Sequence, residues 1–201
     1  MRVTKEQAEQ TKKALIDAGL DVFSEKGFAS TRLEDIVKHA GLTRGAFYWH
    51  FKNKLELYCE VYKEGMKYIS IRLRDAIQPE NSSLNNIKRA LLFIASDINT
   101  EERIGKFAKL QYTIEWTPEI REAIEYIKHE MSLPFRTLMY GLIEKGKDEG
   151  LIKKGVDTEI IFKAVVSLLI GMSNLKHEKN YPLDTEDIDP MLSIFIDGIR
   201  N

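Results

Sequence analysis

Residue types that do chemistry are sparse in this chain, and most of them are scattered. The single cysteine, Cys59, has no positioned partner, and an apolar helix face is its natural place. His39, His50, His129 and His177 lie far apart, without the cysteine or carboxylate spacing that holds a metal, so no metal is expected. Glu101-Glu102 and Glu119–Glu125 read as solvated helix faces rather than an acid and base pair. There is no glycine-rich phosphate loop. These absences argue against an enzyme and call for no cofactor. The dense constellation is Thr31–Lys54, TRLEDIVKHAGLTRGAFYWHFKNK. Its chemistry is hydrogen bonding and charge directed at a large polar anion.

The elements that must position these residues are two short helices. Ala40 is small where the helices meet, Gly41 forms the turn, and Leu42 plugs it, which is the order a helix-turn-helix requires. The second helix, Arg44 to about His50, is capped by Thr43 and is free to enter a major groove. Arg44 can take guanine O6 and N7 together. Gly45 and Ala46 carry almost no side chain and let the backbone approach DNA. Phe47 and Phe51 face the core, while Tyr48, Trp49 and His50 lie nearer the DNA. Lys54 adds charge at the positive end of the next helix. The partner indicated is duplex DNA.

Around this unit the pattern is helical throughout, and an all-α fold of about nine helices is expected. Thr4-Lys5-Glu6-Gln7 forms a capping box, Leu15, Ala18, Val22 and Phe23 make one stripe, and Gly27 ends the first helix in a left-handed cap. Thr31-Arg32-Leu33-Glu34 is a second capping box. A fourth helix begins at Asn53 and runs to about residue 77, and residues 78–82 are a loop. Residues 83–99 and 101–115 are two further helices. Thr117-Pro118-Glu119 starts another, which Pro134 should kink or break. The last two run over about 158–178 and 187–199.

The chain has 201 residues, 43% hydrophobic, and a net charge of -1, so it is neither disordered nor strongly polarised. Residues 1–54 carry ten Lys/Arg against seven Asp/Glu, a mildly basic head, and the remainder is mildly acidic. A lone cysteine, a polar N-terminus and no run of 18 apolar residues point to a reducing cytoplasm and no membrane association.

The first 55 or so residues resemble the TetR family of bacterial transcriptional repressors. The likeness rests on Leu15-Ile16-Asp17-Ala18 with Phe23 and Gly27-Phe28, on Thr31, Ile36 and Ala40-Gly41, and above all on the run from Thr43 to Lys54. That run looks most like the recognition helix of drug-efflux repressors of the AcrR type. The resemblance implies a homodimer with a DNA-binding domain over 1–54 and a ligand-binding and dimerisation domain over 55–201. Arg44, Gly45 and Ala46 would face bases. Thr31, Arg32, Thr43, Tyr48, Trp49, His50 and Lys54 would face phosphates or the groove wall. A small, mainly hydrophobic effector would release the operator. The residues expected to line its pocket are Tyr62, Met66, Phe93, Phe107, Gln111, Glu115, Trp116, Tyr126 and Met139. Val165, Leu168, Gly171, Met172, Leu192 and Phe195 are expected at the dimer interface. The competing reading is a DNA-bound protein-interaction module without a small-molecule effector.

Overall fold

The structure is a computed structural model that describes residues 4–96, 102–112, 117–175 and 180–201, with residues 111 and 112 described in backbone only. Nine helices run through the described residues: α1 (Lys5–Lys26), α2 (Leu33–His39), α3 (Arg44–His50), α4 (Lys54–Ala76), α5 (Ser83–Ala95), α6 (Glu102–Tyr112), α7 (Pro118–Asp148), α8 (Thr158–Leu175) and α9 (Thr185–Ile199). The only β pairing among them is an isolated bridge between Ile152 and Arg200, which ties down the C-terminus. The fold is all-α.

Local chemistry explains most of the helix ends. Thr4 Oγ1 accepts from the Gln7 N–H, and the Gln7 side chain accepts from the Thr4 N–H, completing the first capping box. The α2 start differs from expectation. Asp35, not Glu34, accepts the N–H of Arg32, and the Thr31 hydroxyl turns back to donate to the Gly27 carbonyl at 2.6 Å. Gly27 has φ 77° and ψ 163°, so its positive φ leads into extended chain and not into a left-handed cap. Pro134 sits within α7 without ending it. Helix α8 is described to Leu175, with the remainder of its expected span outside the described residues, and α9 starts slightly early, behind Asp184.

The chain divides into two compact units, with α4 and α7 contributing to both. The first comprises Met1–Tyr68 and Glu102–Met131. Leu15, Phe23, Ile36, Phe47, Phe51, Leu57, Tyr58 and Val61 form the core of its N-terminal part and are almost fully buried. Phe23, Phe28 and Tyr58 meet edge-on or tilted at centroid distances of 5.1–5.8 Å, the favoured geometry for aromatic rings. The α6 residues Ile104, Phe107 and Leu110 are buried in the same unit. Ion pairs join α6 to α1: Arg103 to Asp17 at 2.7 Å and Lys106 to Asp21 at 2.8 Å. Asp21 is also 3.0 Å from His39 of α2. Burial pushes the Asp21 carboxyl up, but hydrogen bonds from Lys106 and His39 outweigh this and leave it below its usual value.

In the second unit, α5 packs on α8 and α9. Its core is Leu84, Ile87, Leu91, Met139, Ile143, Ile161, Val165, Met172, Ile188, Leu192 and Ile196.

Close packing in the first unit makes one glycine essential. A Cβ at Gly65 of α4 would lie 2.2 Å from Phe107 Cδ2. The Phe107 ring is 1% exposed and is already edge-on to Tyr62 at 5.3 Å, so it has nowhere to go. Gly65→Ala should therefore lose about 1–3 kcal/mol to overpacking, more than the helix-propensity gain of about 1 kcal/mol returns. Urea denaturation measures this; an unchanged or higher midpoint would show that α4 and α6 are not packed this tightly.

Candidate nucleic-acid interface

The turn between α2 and α3 is built by backbone geometry. Gly41 has φ 66°, a left-handed conformation that glycine adopts without strain. The Gly41 N–H donates to Lys38 O at 3.1 Å and the Leu42 N–H donates to Val37 O at 2.8 Å. That pair of bonds is a Schellman closure, which satisfies carbonyls left open at the end of α2. Leu42 folds inward to half burial, and Thr43 follows in extended conformation with its Oγ1 accepting from the Ala46 N–H at 3.2 Å. The sequence reading of Gly41, Leu42 and Thr43 matches this geometry.

The recognition helix is two-faced. Phe47 is fully buried and Phe51, just past its end, is 2% exposed; the two rings pack at 5.6 Å. Burying two phenylalanines contributes several kcal/mol, at roughly 1.5–3 kcal/mol each. On the outer face, Arg44, Gly45, Tyr48 and Trp49 are all exposed, Tyr48 at 53% and Trp49 at 68%. Large aromatics this exposed contribute nothing to the protein's own core. Trp49 packs on its neighbour His50, edge-on at 4.6 Å. Ala46 and His50 are half-buried at the helix edges. Burial and the nearby Lys12 charge hold the His50 imidazole below its usual value.

Gly45 differs from Gly65 in one respect. A Cβ there would meet only Thr43 Oγ1, at an ordinary 3.7 Å. The protein's own packing does not require glycine at this position, and the space lies on the outer face.

Arg44 is held across the motif. Its Nη1 is 2.9 Å from Glu34 Oε1 on α2, its Nη2 is 3.5 Å from the Tyr48 hydroxyl, and its guanidinium carbon lies 6.0 Å from the Tyr48 ring centroid. Arg32 is exposed; its backbone N–H donates to the Asp35 carboxylate at 3.0 Å and its carbonyl accepts from the Asp35 N–H at 3.1 Å.

Two expected phosphate contacts are corrected by the geometry. Thr31 is 2% exposed and its hydroxyl is spent on Gly27, so it organises the α1–α2 connection and has no free surface. Lys54 is half-buried, and its Nζ donates to the carbonyls of Phe28 at 2.6 Å, Thr31 at 2.7 Å and Ala29 at 3.4 Å. The ammonium also lies 4.3 Å from the Phe28 ring centroid. An ammonium has three donors, and all three are used. Burial pulls its affinity for protons below the usual lysine value. Lys54 thus staples the start of α4 to the connection that places α2. The hydrophobic and charged residues around it gave no sequence signal for this, because the acceptors are backbone carbonyls more than twenty residues away.

The residues expected in an effector pocket are divided between the two units. Tyr62 and Phe107 are buried side by side in the first unit, and burial pushes the Tyr62 phenol up to about 12. Met66 is half-buried in the same unit. Phe93 and Met139 belong to the buried core of the second. Tyr126 is corrected: it is 67% exposed on α7 and donates to Glu130 at 2.9 Å, because Ile120, Ile124 and Ile127 take the inward stripe. The Gln111 side chain, Glu115 and Trp116 lie outside the described residues.

The interface residues are likewise sorted by packing. Val165, Met172 and Leu192 are 0–1% exposed inside the second unit, so they are core and cannot touch another chain. Leu168, Gly171 and Phe195 are half-buried. The apolar residues that do remain open are Ile160 and Ile170 on α8 and Ile194 on α9, at 56%, 57% and 75% exposure.

Lys54 provides a direct test of staple against phosphate contact. Lys54→Ala should lower stability by about 1–3 kcal/mol, since it strands carbonyls of the α1–α2 connection. It should weaken operator and random DNA alike while leaving the salt dependence of binding unchanged. A phosphate contact would instead reduce the slope of log affinity against log salt by about 0.9 with stability intact. Thermal melting and binding at several salt concentrations separate the two.

A family model described as bacterial regulatory proteins of the tetR family matches residues 15–61. The HTH-type transcriptional regulator AcrR of Shigella flexneri is 36% identical over 103 residues, 51% of this chain and 48% of that one. The HTH-type transcriptional regulator TtgR of Pseudomonas putida is 32% identical over 125 residues, 61% of this chain and 59% of that one. The chain thus spans about half the length of these curated relatives. The crystal structure of NalD, the secondary repressor of the MexAB-OprM multidrug efflux pump in Pseudomonas aeruginosa, superposes with a TM-score of 0.73 at 27% identity, over 96% of this chain and 98% of that one. The matched segment contains α2, the glycine turn and α3, with the outward face described above, and the fold similarity extends over nearly the whole chain: residues 15–61 carry a helix-turn-helix that matches the tetR family of bacterial regulatory proteins.

Proposed function

We propose that this protein is a homodimeric, cytoplasmic repressor that binds a pseudo-palindromic DNA operator and is released by a small, mainly hydrophobic ligand, in the control of multidrug efflux. The observation that carries the DNA-binding part is the two-faced α3. Its inner aromatics are buried, and its outer face presents Arg44, Gly45, Tyr48 and Trp49 to solvent. Arg44 reads a guanine edge, Gly45 and Ala46 admit the backbone to the groove, and Thr43, Tyr48, Trp49 and His50 line its walls together with Arg32. In this reading the DNA-binding function belongs to residues 1–54, and residues 55–201 supply effector binding and dimerisation.

Open apolar surface supports the dimer. Helix α8 has 18 residues and a mean hydropathy of 1.5, long and apolar enough to cross a membrane, yet only 17% of it is buried within the protomer. Its open side carries Ile160, Ala164, Ser167 and Ile170 at helical spacing, and that of α9 carries Pro190, Ile194 and Gly198. Stripes of this kind, with small residues between isoleucines, suit close helix packing against a second copy. A two-fold dimer places two recognition helices on two half-sites one turn apart. The efflux assignment rests on the relatives: NalD is named as an efflux-pump repressor, and the AcrR and TtgR regulators are similar over 103 and 125 residues. Tyr62, Met66 and Phe107, which share the first unit, remain proposed to meet the effector.

Selection of bound sequences from a random duplex pool at physiological salt should enrich a two-fold-symmetric site. Arg44→Ala should weaken that site by about 1–3 kcal/mol and relax one base position in each half. An unchanged preference would remove the base-reading assignment. Ile170→Glu combined with Ile194→Glu should give a monomer in sedimentation experiments with its helix content kept, because both side chains are open to solvent in the protomer. A persistent dimer would move the interface elsewhere. Lipophilic drugs titrated into the operator complex should release it; indifference to them and to acyl-CoAs would favour the protein-interaction module instead.

A further inference from the structure

The N-terminal end of the recognition helix carries an electrostatic conflict. Arg44 occupies the first position of α3, where the helix dipole presents its positive end, so a cation there is disfavoured. Glu34, the second residue of α2, resolves the conflict across the turn with a 2.9 Å ion pair. Both side chains are open, at 58% for Glu34 and 60% for Arg44, so the pair stands on the surface that would face DNA. A carboxylate at such a surface is repelled by phosphates, and nothing in the head's own core needs it there. A role in helix initiation is already filled, since Asp35 and not Glu34 closes the start of α2.

We propose that Glu34 is a specificity-determining residue that acts through Arg44, holding one edge of the guanidinium so that the other edge is offered to a guanine while the paired charge is withheld from backbone phosphate. The chemistry distinguishes the two targets. Attraction to phosphate scales with net charge, and the Arg44–Glu34 pair has nearly none. Recognition of guanine depends on donor geometry. A guanidinium has five N–H donors, so it can keep Glu34 on one side and still present two parallel donors on another. To follow a phosphate out of the groove, Arg44 must leave Glu34 and also its contact with the Tyr48 ring. Glu34 thereby penalises non-specific binding more than operator binding. Removing an exposed pair of this kind changes an equilibrium by up to about fivefold.

This inference rests on Arg44 as the base-reading residue, and the test keeps the two separable. Full-length wild type, Glu34→Gln, Arg44→Ala and the double variant are each titrated with the selected operator and with a random duplex of equal length at one salt concentration. Glu34→Gln should tighten random-duplex binding by about two- to fivefold without a matching gain on the operator, so the specificity ratio falls. In the Arg44→Ala background the same change should leave the ratio where it was. A ratio unmoved by Glu34→Gln, or moved equally whether or not Arg44 is present, overturns the role of Glu34 alone. Loss of sequence preference in Arg44→Ala accompanies either result. A preference intact in Arg44→Ala removes the base-reading assignment, and the role of Glu34 falls with it.

Discussion

Helices of seven residues do not persist in water, because the first turn fixes several dihedrals for a single hydrogen bond and isolated helices need about 12–15 residues to become even marginal. Both helices of the DNA-reading motif are this short. Their existence depends on burial of a few large side chains: Ile36 and Val37 from α2, Phe47 from α3 and Phe51 immediately after it. These anchors set the rotation of α3, and rotation decides which residues face outward. With Phe47 pinned inward, Tyr48 and Trp49 are turned out and Arg44 is carried to the front of the helix. The rest of the head serves this constraint. The Schellman turn at Gly41 fixes the angle between the helices, and the Lys54 ammonium closes the opposite connection by gathering the carbonyls of Phe28, Ala29 and Thr31.

Charge in the head is used with more restraint than its composition indicates. Ten basic residues against seven acidic ones in the first 54 make a mildly basic head. Several of those cations are engaged within the protein: Lys54 by carbonyls, Lys12 by Glu60, Lys26 by Asp35 and Arg44 by Glu34. Exposed pairs such as these add little stability, about 0–1 kcal/mol each. In the proposed DNA-binding role, their larger effect would be to reduce the charge that indiscriminate phosphate contact exploits. Discrimination among DNA sequences is a ratio of affinities, and lowering the non-specific term raises it as effectively as a new base contact. The Asp17–Arg103 and Asp21–Lys106 pairs do something different. They fasten α6 to α1 within one unit, so a rearrangement of α6 acts on the helix against which the DNA-reading motif is packed.

The second unit has the opposite character. Its α8 is apolar nearly all round, and packing against α5 uses only one side of it. The side left open carries isoleucines and small residues in the same periodic arrangement as the buried side. In water, apolar surface of this extent is normally covered, and it is the surface on which the proposed two-fold dimer rests.

Much of this was legible in the sequence. Turn chemistry at Gly41, the Thr43 cap, the inward spacing of Phe47 and Phe51 and the outward Arg44 are all local, and local geometry follows from residue type and spacing alone. The all-α class and nearly every helix follow for the same reason. Tertiary structure decided what depends on partners distant in the chain. Lys54 and Thr31 look like phosphate ligands until the carbonyls of the α1–α2 connection are brought to them. Tyr126 looks like a pocket wall until the isoleucines of α7 claim the inner stripe. On α8 and α9, Val165, Met172 and Leu192 are as apolar as Ile170 and Ile194, and periodicity gives a helix two candidate faces without saying which one the protomer buries. Packing of α5 on α8 and α9, together with α7 side chains that meet α8, makes the choice, since a hydrophobic residue carries no directional signal and its fate is set by whatever surface reaches it.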